Sequence, residues 1–178
     1  MRTIIRNATL VNEGACFKGH LIIEDERIAE VLSSEGISDV PCDVEIDASG
    51  MYLLPGVIDD HVHFRDPGLT HKADMESESR AAASGGVTSY MDMPNTVPQT
   101  TSLETLDAKF VDAGKKSRVN YSFFFGVTND NAQLLPSLDK RRVCGVKLFM
   151  GSSTGNMLVD KQEALTKIFS EAGMLIMA

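Results

Sequence analysis

No apolar run in this 178-residue sequence approaches the roughly 20 residues of a membrane-spanning helix, and the opening MRTIIRNATL lacks the apolar core of a secretory signal. Positive charge is also scarce: 17 Lys and Arg stand against 25 Asp and Glu, a net −8. Nucleic-acid binding is therefore disfavoured, because the phosphate backbone selects basic surfaces. The three cysteines, Cys16, Cys42 and Cys144, form no C-x-x-C pair and are odd in number. They read as free thiols of a reducing, cytoplasmic compartment, expected as buried small hydrophobes. Repeats and low-complexity segments are missing too. What remains, 43% hydrophobic and 24% charged, is the composition of an ordinary globular chain. The length admits one complete domain but excludes a closed eight-stranded α/β barrel, which takes about 250 residues.

Residues 3–53 predict short strands, at 3–11, 21–23, 27–32 and 44–46, separated by turns such as Asn12-Glu13-Gly14 and Ala48-Ser49-Gly50. A small antiparallel β unit is expected there. The pattern changes at Pro55-Gly56. Strand-like runs at 57–64, 87–93, 119–127, 143–150 and 174–178 then alternate with helical stretches. The first helix covers 74–84 and stops at Gly85-Gly86; the second starts at Thr101 with Glu104 at capping-box spacing. A short, weak helix at 131–138 contains Pro136. The last helix takes Asp160 and Glu163 as its cap and ends at Gly173. Apolar stripes are Leu103, Leu106, Phe110 and Val111 on the second helix, and Leu165, Ile168, Phe169 and Ala172 on the last. Such alternation implies βαβ units and a parallel sheet, with strands as apolar as Met174-Leu175-Ile176-Met177 covered on both faces.

Four features carry chemistry. Asp59-x-His61-x-His63 closes a strand, and a period of two puts these side chains on one face, so both imidazoles can reach one metal. The plainer reading is two polar residues at a fraying strand end; the position at the C-terminal end of an apolar strand, where α/β barrels place their sites, favours the metal. Arg65, in Arg65-Asp66-Pro67-Gly68, suits a substrate carboxylate held bidentately, or else a surface pairing with Asp66. Asn95, in Met93-Pro94-Asn95-Thr96, offers donor and acceptor where barrel enzymes bind substrate, or else makes a Pro-Asn turn. Lys147 sits mid-strand among apolar neighbours: burial would lower its pKa and free an amine able to form a carbamate with carbon dioxide, unless the side chain snorkels to solvent. The glycine-rich 151–156 segment lacks the order of a phosphate loop and reads as an ordinary βα loop. His20 and His71 have no ligand spacing.

In this order the four features resemble the dihydroorotases of the cyclic amidohydrolase superfamily. PGVIDDHVHFRDPG, THKADMESESRAAASGGVTSYMDMPNT and GVKLF carry the resemblance, from about residue 50 through 150. It implies an α/β fold: residues 1–55 as part of a small β-sandwich and 56–178 as the first half of a metal-dependent (β/α)8 catalytic barrel. It also implies that His61 and His63 bind zinc, that carbamylated Lys147 bridges two zinc ions per full-length subunit, and that Arg65 and Asn95 hold the substrate carboxylate. The implied reaction is the reversible cyclisation of N-carbamoyl-L-aspartate to L-dihydroorotate in pyrimidine biosynthesis. The implied partners are this small-molecule substrate, with neither nucleic acid nor membrane, and a second subunit or aspartate transcarbamoylase.

The family further requires two histidines and an aspartate downstream of Lys147, and this sequence has none of those histidines. The expectation is half a barrel and half a metal site, inactive and aggregation-prone alone. Two alternatives stand beside it. A dihydropyrimidinase, hydantoinase or allantoinase would share the histidines and the lysine, but its substrate would lack the carboxylate that Arg65 suits. A non-catalytic, dihydroorotase-like scaffold would be expected to have lost ligands that are intact here.

Overall fold

The computed structural model describes residues 1–34, 40–151 and 155–178. The chain forms two compact units, Met1–Pro55 and Gly56–Ala178.

The first unit is one five-stranded sheet around the long strand β1 (Arg2–Asn12). Strand β2 (Ala15–Glu24) returns antiparallel across the Glu13-Gly14 turn, and β3 (Arg27–Ser33) pairs antiparallel with β2. Strands β4 (Val44–Asp47) and β5 (Tyr52–Leu53) instead run parallel to β1, on Thr3–Arg6 and Thr9–Leu10 respectively. The sheet is therefore mixed, not the antiparallel unit expected from the strand runs. The chain after β3 is long enough for a crossover, which delivers β4 to the free edge of β1 in the same direction. Between its two pairing segments β1 bulges at Asn7, whose φ is +62°.

The second unit begins with β6 (Val57–Val62), then α1 (Met75–Ser84), β7 (Val87–Asp92), α2 (Leu103–Lys116) and β8 (Asn120–Gly126). A 3-10 turn at Ala132–Ser137 holds Pro136 and leads to β9 (Gly145–Lys147), α3 (Gln162–Glu171) and β10 (Ile176–Met177). All five strands are parallel, and their spatial order, β10-β9-β8-β7-β6, is their sequence order. Each connection thus moves one strand onward. That progression builds a barrel wall, whereas a doubly wound sheet reverses direction midway. The fully buried residues Phe123, Phe125, Val146, Leu148 and Ile168 lie at the centre of the core between sheet and helices.

Local details depart from the sequence expectation for identifiable reasons. Asp74 caps α1, accepting the Ser77 N–H at 2.8 Å. The α2 cap is Ser102, which exchanges hydrogen bonds with Thr105, one residue beyond the expected Thr101–Glu104 pair. Asp160 does not cap α3: it accepts a 2.9 Å hydrogen bond from Asn129 Nδ2, and Lys161 occupies the cap position. Of the stripe residues, Val111 and Phe169 are exposed, while Lys109 is buried. β10 is an edge strand whose Ile176 and Met177 are half-buried, and Leu175 just before it is exposed, where the sequence predicts an apolar strand covered on both faces. The cysteines are free, but Cys16 is exposed and Cys42 and Cys144 only half-buried, contrary to the expected burial. Ser152–Thr154 of the glycine-rich loop lie outside the described residues. Among the described residues no helix is long and apolar enough to cross a membrane.

Candidate metal centre

His61 is the penultimate residue of β6 and His63 follows the strand directly. Asp59 Oδ1 accepts the His61 N–H at 3.1 Å, which steadies the backbone at the strand end. The two imidazole centroids are 5.4 Å apart, with the planes inclined by 48°. A ring ligating at 2.0–2.1 Å stands with its centroid roughly 3.2 Å from the ion, so a tetrahedral pair is about 5.2 Å apart. The ring separation is compatible with two imidazoles sharing a zinc-sized ion.

His63 Nδ1 lies 2.8 Å from Asn95 Oδ1. An amide oxygen only accepts, so Nδ1 carries the proton and Nε2 keeps its lone pair for a metal. Burial lowers the His63 pKa below its usual value; the Asn95 bond opposes this and the Arg65 charge adds to it. The expected result is an NMR titration midpoint for the His63 ring below the ordinary value of about 6.5. A midpoint at or above 6.5 would contradict it. The folded chain then binds this proton less readily than the unfolded chain, so stability falls as pH drops from the unfolded His value toward the folded one.

Arg65 has φ of +64°, a left-handed conformation that is strained for a residue with a side chain. The loop is fixed by its neighbours. Asp66 is buried, accepts the Met75 N–H at the start of α1 and pairs with Lys116 at 2.9 Å. Asp66 is thus engaged with Lys116 and not with Arg65, and among the described residues no carboxylate forms an ion pair with Arg65. The Pro67 carbonyl accepts the Val97 N–H at 3.0 Å. Gly68, at φ +83°, packs so close to the Val97 carbonyl that a Cβ would stand 1.9 Å from its oxygen. Only glycine allows this contact between the loop after β6 and the loop after β7. Arg65 and Asn95 share a groove of about 440 Å³ with Lys72, Thr96 and Val97.

Lys147, the last residue of β9, is 8% exposed. Burial lowers its pKa, no acidic group among the described residues offsets that burial, and its ammonium lies 4.9 Å from the Phe149 ring centroid. Lys147 is at the same C-terminal end of the sheet as the histidines but three strands away, roughly 14 Å at the usual strand spacing. Closure onto one ion requires barrel curvature and the reach of the lysine stem. The structure thus brings His61, His63, Asn95 and Arg65 to one end of the sheet, with Lys147 at the same end on β9, three strands along. Among the described residues no three His, Cys, Asp or Glu side chains form a metal cluster.

One group escaped the sequence reading altogether, the buried ion pair of Asp92, at the end of β7, with Lys109 on α2 at 2.6 Å. Its signal was present: a lysine at a position facing the apolar stripe needs a buried carboxylate, and Asp92 interrupts an otherwise apolar strand end.

The fold is that of the TIM-barrel amidohydrolases. It superposes on the L-hydantoinase (dihydropyrimidinase) of Arthrobacter aurescens with a TM-score of 0.90 and 29% identity, over 98% of this chain and 39% of that one. The dihydropyrimidinase of Brevibacillus agri gives 0.81 and 28%, over 99% and 39%. Residues 50–145 match the dihydro-orotase-like family, and the chain belongs to that family. A dihydroorotase of Methanosarcina mazei is 36% identical over 168 residues, 92% of this chain and 36% of the relative. An L-hydantoinase of Paenarthrobacter aurescens is 31% identical over 170 residues, 94% and 37%. The relatives are hydrolases, and this chain spans less than two fifths of their length.

Proposed function

We propose that His61, His63 and Lys147 contribute to a two-zinc centre, and Arg65 and Asn95 to a carboxylate site, of an enzyme that interconverts N-carbamoyl-L-aspartate and L-dihydroorotate. The observation that carries the reading is the guanidinium of Arg65: a cation without an ion-pair partner among the described residues, on a strained backbone, sharing a groove with the Asn95 that contacts His63. A protein keeps a charge and a strained conformation together where a ligand uses them. Asn95 Nδ2 is left to donate to a carboxylate while Oδ1 holds His63.

Bound zinc supplies Lewis acidity, lowering the pKa of water and polarising the ring amide carbonyl. The chain's own residues prepare for it. Neutral His63 presents Nε2. Lys147, whose pKa burial lowers, can as the free amine add its nitrogen to the carbon of carbon dioxide; an N–C bond forms, a nitrogen proton leaves to solvent, and the lysine becomes an anionic oxygen donor. Arg65 and Asn95 orient the substrate through its carboxylate, so the scissile amide faces the histidines. The remaining donors belong to the whole protein: among this chain's other histidines, His20 is buried and accepts the Asn7 N–H, and His71 is exposed.

Hydrolysis of hydantoin or dihydropyrimidine rings is the second reading, favoured by the TM-score of 0.90 to an L-hydantoinase. Fold similarity does not separate these substrates, since specificity lies in the groove. Those rings carry no carboxylate for Arg65. Changing Arg65→Met in the full-length protein is expected to lower kcat/KM for dihydroorotate by about 10–100-fold, the worth of a charge-assisted hydrogen bond, with bound metal unchanged. Unaltered kcat/KM would remove Arg65 from the substrate site and with it the preference for dihydroorotate.

A further inference from the structure

We propose that the buried Asp92–Lys109 pair is the positioning device of this site, fixing both loops that carry His63, Arg65 and Asn95. The two side chains are 1% and 0% exposed, for Lys109 and Asp92 respectively. The other carboxylate oxygen, Asp92 Oδ1, accepts the Phe64 N–H at 2.9 Å, and Phe64 is the residue between His63 and Arg65. Lys109 Nζ donates to the Met93 carbonyl at 3.0 Å, two residues before Asn95. The contacts close on themselves. From Lys109 the connection runs through Asp92 and Phe64 to His63, across the 2.8 Å contact to Asn95, and back through Met93 to Lys109.

A dry ion pair is a poor way to stabilise a core, because desolvation offsets most of the attraction and two apolar side chains would serve as well. Burial alone pulls the Lys109 pKa down, with Asp92 opposing. What two apolar side chains cannot do is accept the Phe64 N–H and donate to the Met93 carbonyl. Those are the two backbone groups that aim the site. The Phe64 N–H precedes the strained turn at Arg65, a conformation that persists only where its surroundings hold it. The Phe64 ring, buried 4.4 Å from the Tyr90 ring centroid, and the Phe123 ring, 4.8 Å from Lys109 Nζ, keep water from the pair. Asn95 is the group bonded to the His63 ring, and such a group sets a ligand's orientation and hence its affinity; the Asp92–Lys109 pair acts on both through the neighbouring backbone. The positioning is a property of the metal-free chain; its consequence for zinc rests on reading His63 as a ligand.

The test uses two double variants of the full-length protein, D92L/K109M and D92N/K109M. Each removes both charges, so neither leaves a buried ion unpaired, and the Asn variant keeps an oxygen for the Phe64 N–H. Both variants are expected to unfold cooperatively in urea, D92L/K109M at a lower midpoint than the parent because the Phe64 N–H and the Met93 carbonyl lose their buried partners. In metal-free protein labelled at histidine nitrogen, His63 is expected as the Nδ1-protonated tautomer in the parent and in D92N/K109M, and as a tautomer mixture in D92L/K109M. Zinc affinity is expected to fall by about tenfold or more in D92L/K109M and to be largely recovered in D92N/K109M. A parent-like tautomer and parent-like zinc affinity in D92L/K109M would overturn the proposal. So would a D92N/K109M variant as impaired as D92L/K109M. Zinc affinity unchanged by His63→Ala would instead remove the metal reading, and the tautomer comparison would still judge the positioning.

Discussion

Replacing His61 and His63 together by alanine is expected to lower kcat/KM of the full-length protein by at least about 10³-fold, some 4 kcal/mol of transition-state stabilisation. Bound zinc, counted by atomic absorption, is expected to fall with it. Stability is expected to change little, because His61 is exposed and His63 half-buried, and substitutions outside a packed core usually stay within about 1 kcal/mol. The plainer account, polar residues at a fraying strand end, predicts the opposite pattern: metal content and rate unchanged. That account, in which the histidines only satisfy local hydrogen bonds, also accommodates the 2.8 Å His63–Asn95 contact, so the metal count is what separates the two.

Replacing Lys147 by methionine is expected to have a comparable effect, at least about 10²-fold in kcat/KM. Methionine has a similar length and no charge to bury, so the folded chain is expected to be as stable as the parent or slightly more so. Removing a lysine whose only role was packing would leave the rate alone. With carbon-13 bicarbonate, the parent is expected to show a carbamate carbon resonance that Lys147→Met lacks. The signal is expected to grow as pH rises through the lowered lysine pKa, because only the free amine adds carbon dioxide. An identical resonance in the variant would place the carbamate elsewhere.

The alternation of apolar strand and capped helix after Pro55 was legible because each element buries one face, and burial leaves its period in the sequence. Direction leaves no such trace. The runs at β4 and β5 look the same whether they pair parallel or antiparallel with β1, and only the length of the crossover decides. Cap positions slipped for a similar reason: Asp160 had a competing donor, Asn129, thirty-one residues away in sequence. At the site, H-x-H was readable from a period of two. The contact of His63 with Asn95 was not, because it joins two loops that become neighbours only when β6 and β7 pair. Lys109 was hidden most thoroughly. Its charge marks it for the surface, and its burial is decided by one carboxylate on a neighbouring strand.

The most direct test of the account is turnover by the zinc-loaded, full-length protein of L-dihydroorotate and dihydrouracil, assayed side by side. The groove of Arg65 and Asn95 predicts hydrolysis of dihydroorotate, with dihydrouracil turned over poorly or not at all. Turnover of dihydrouracil alone would contradict it.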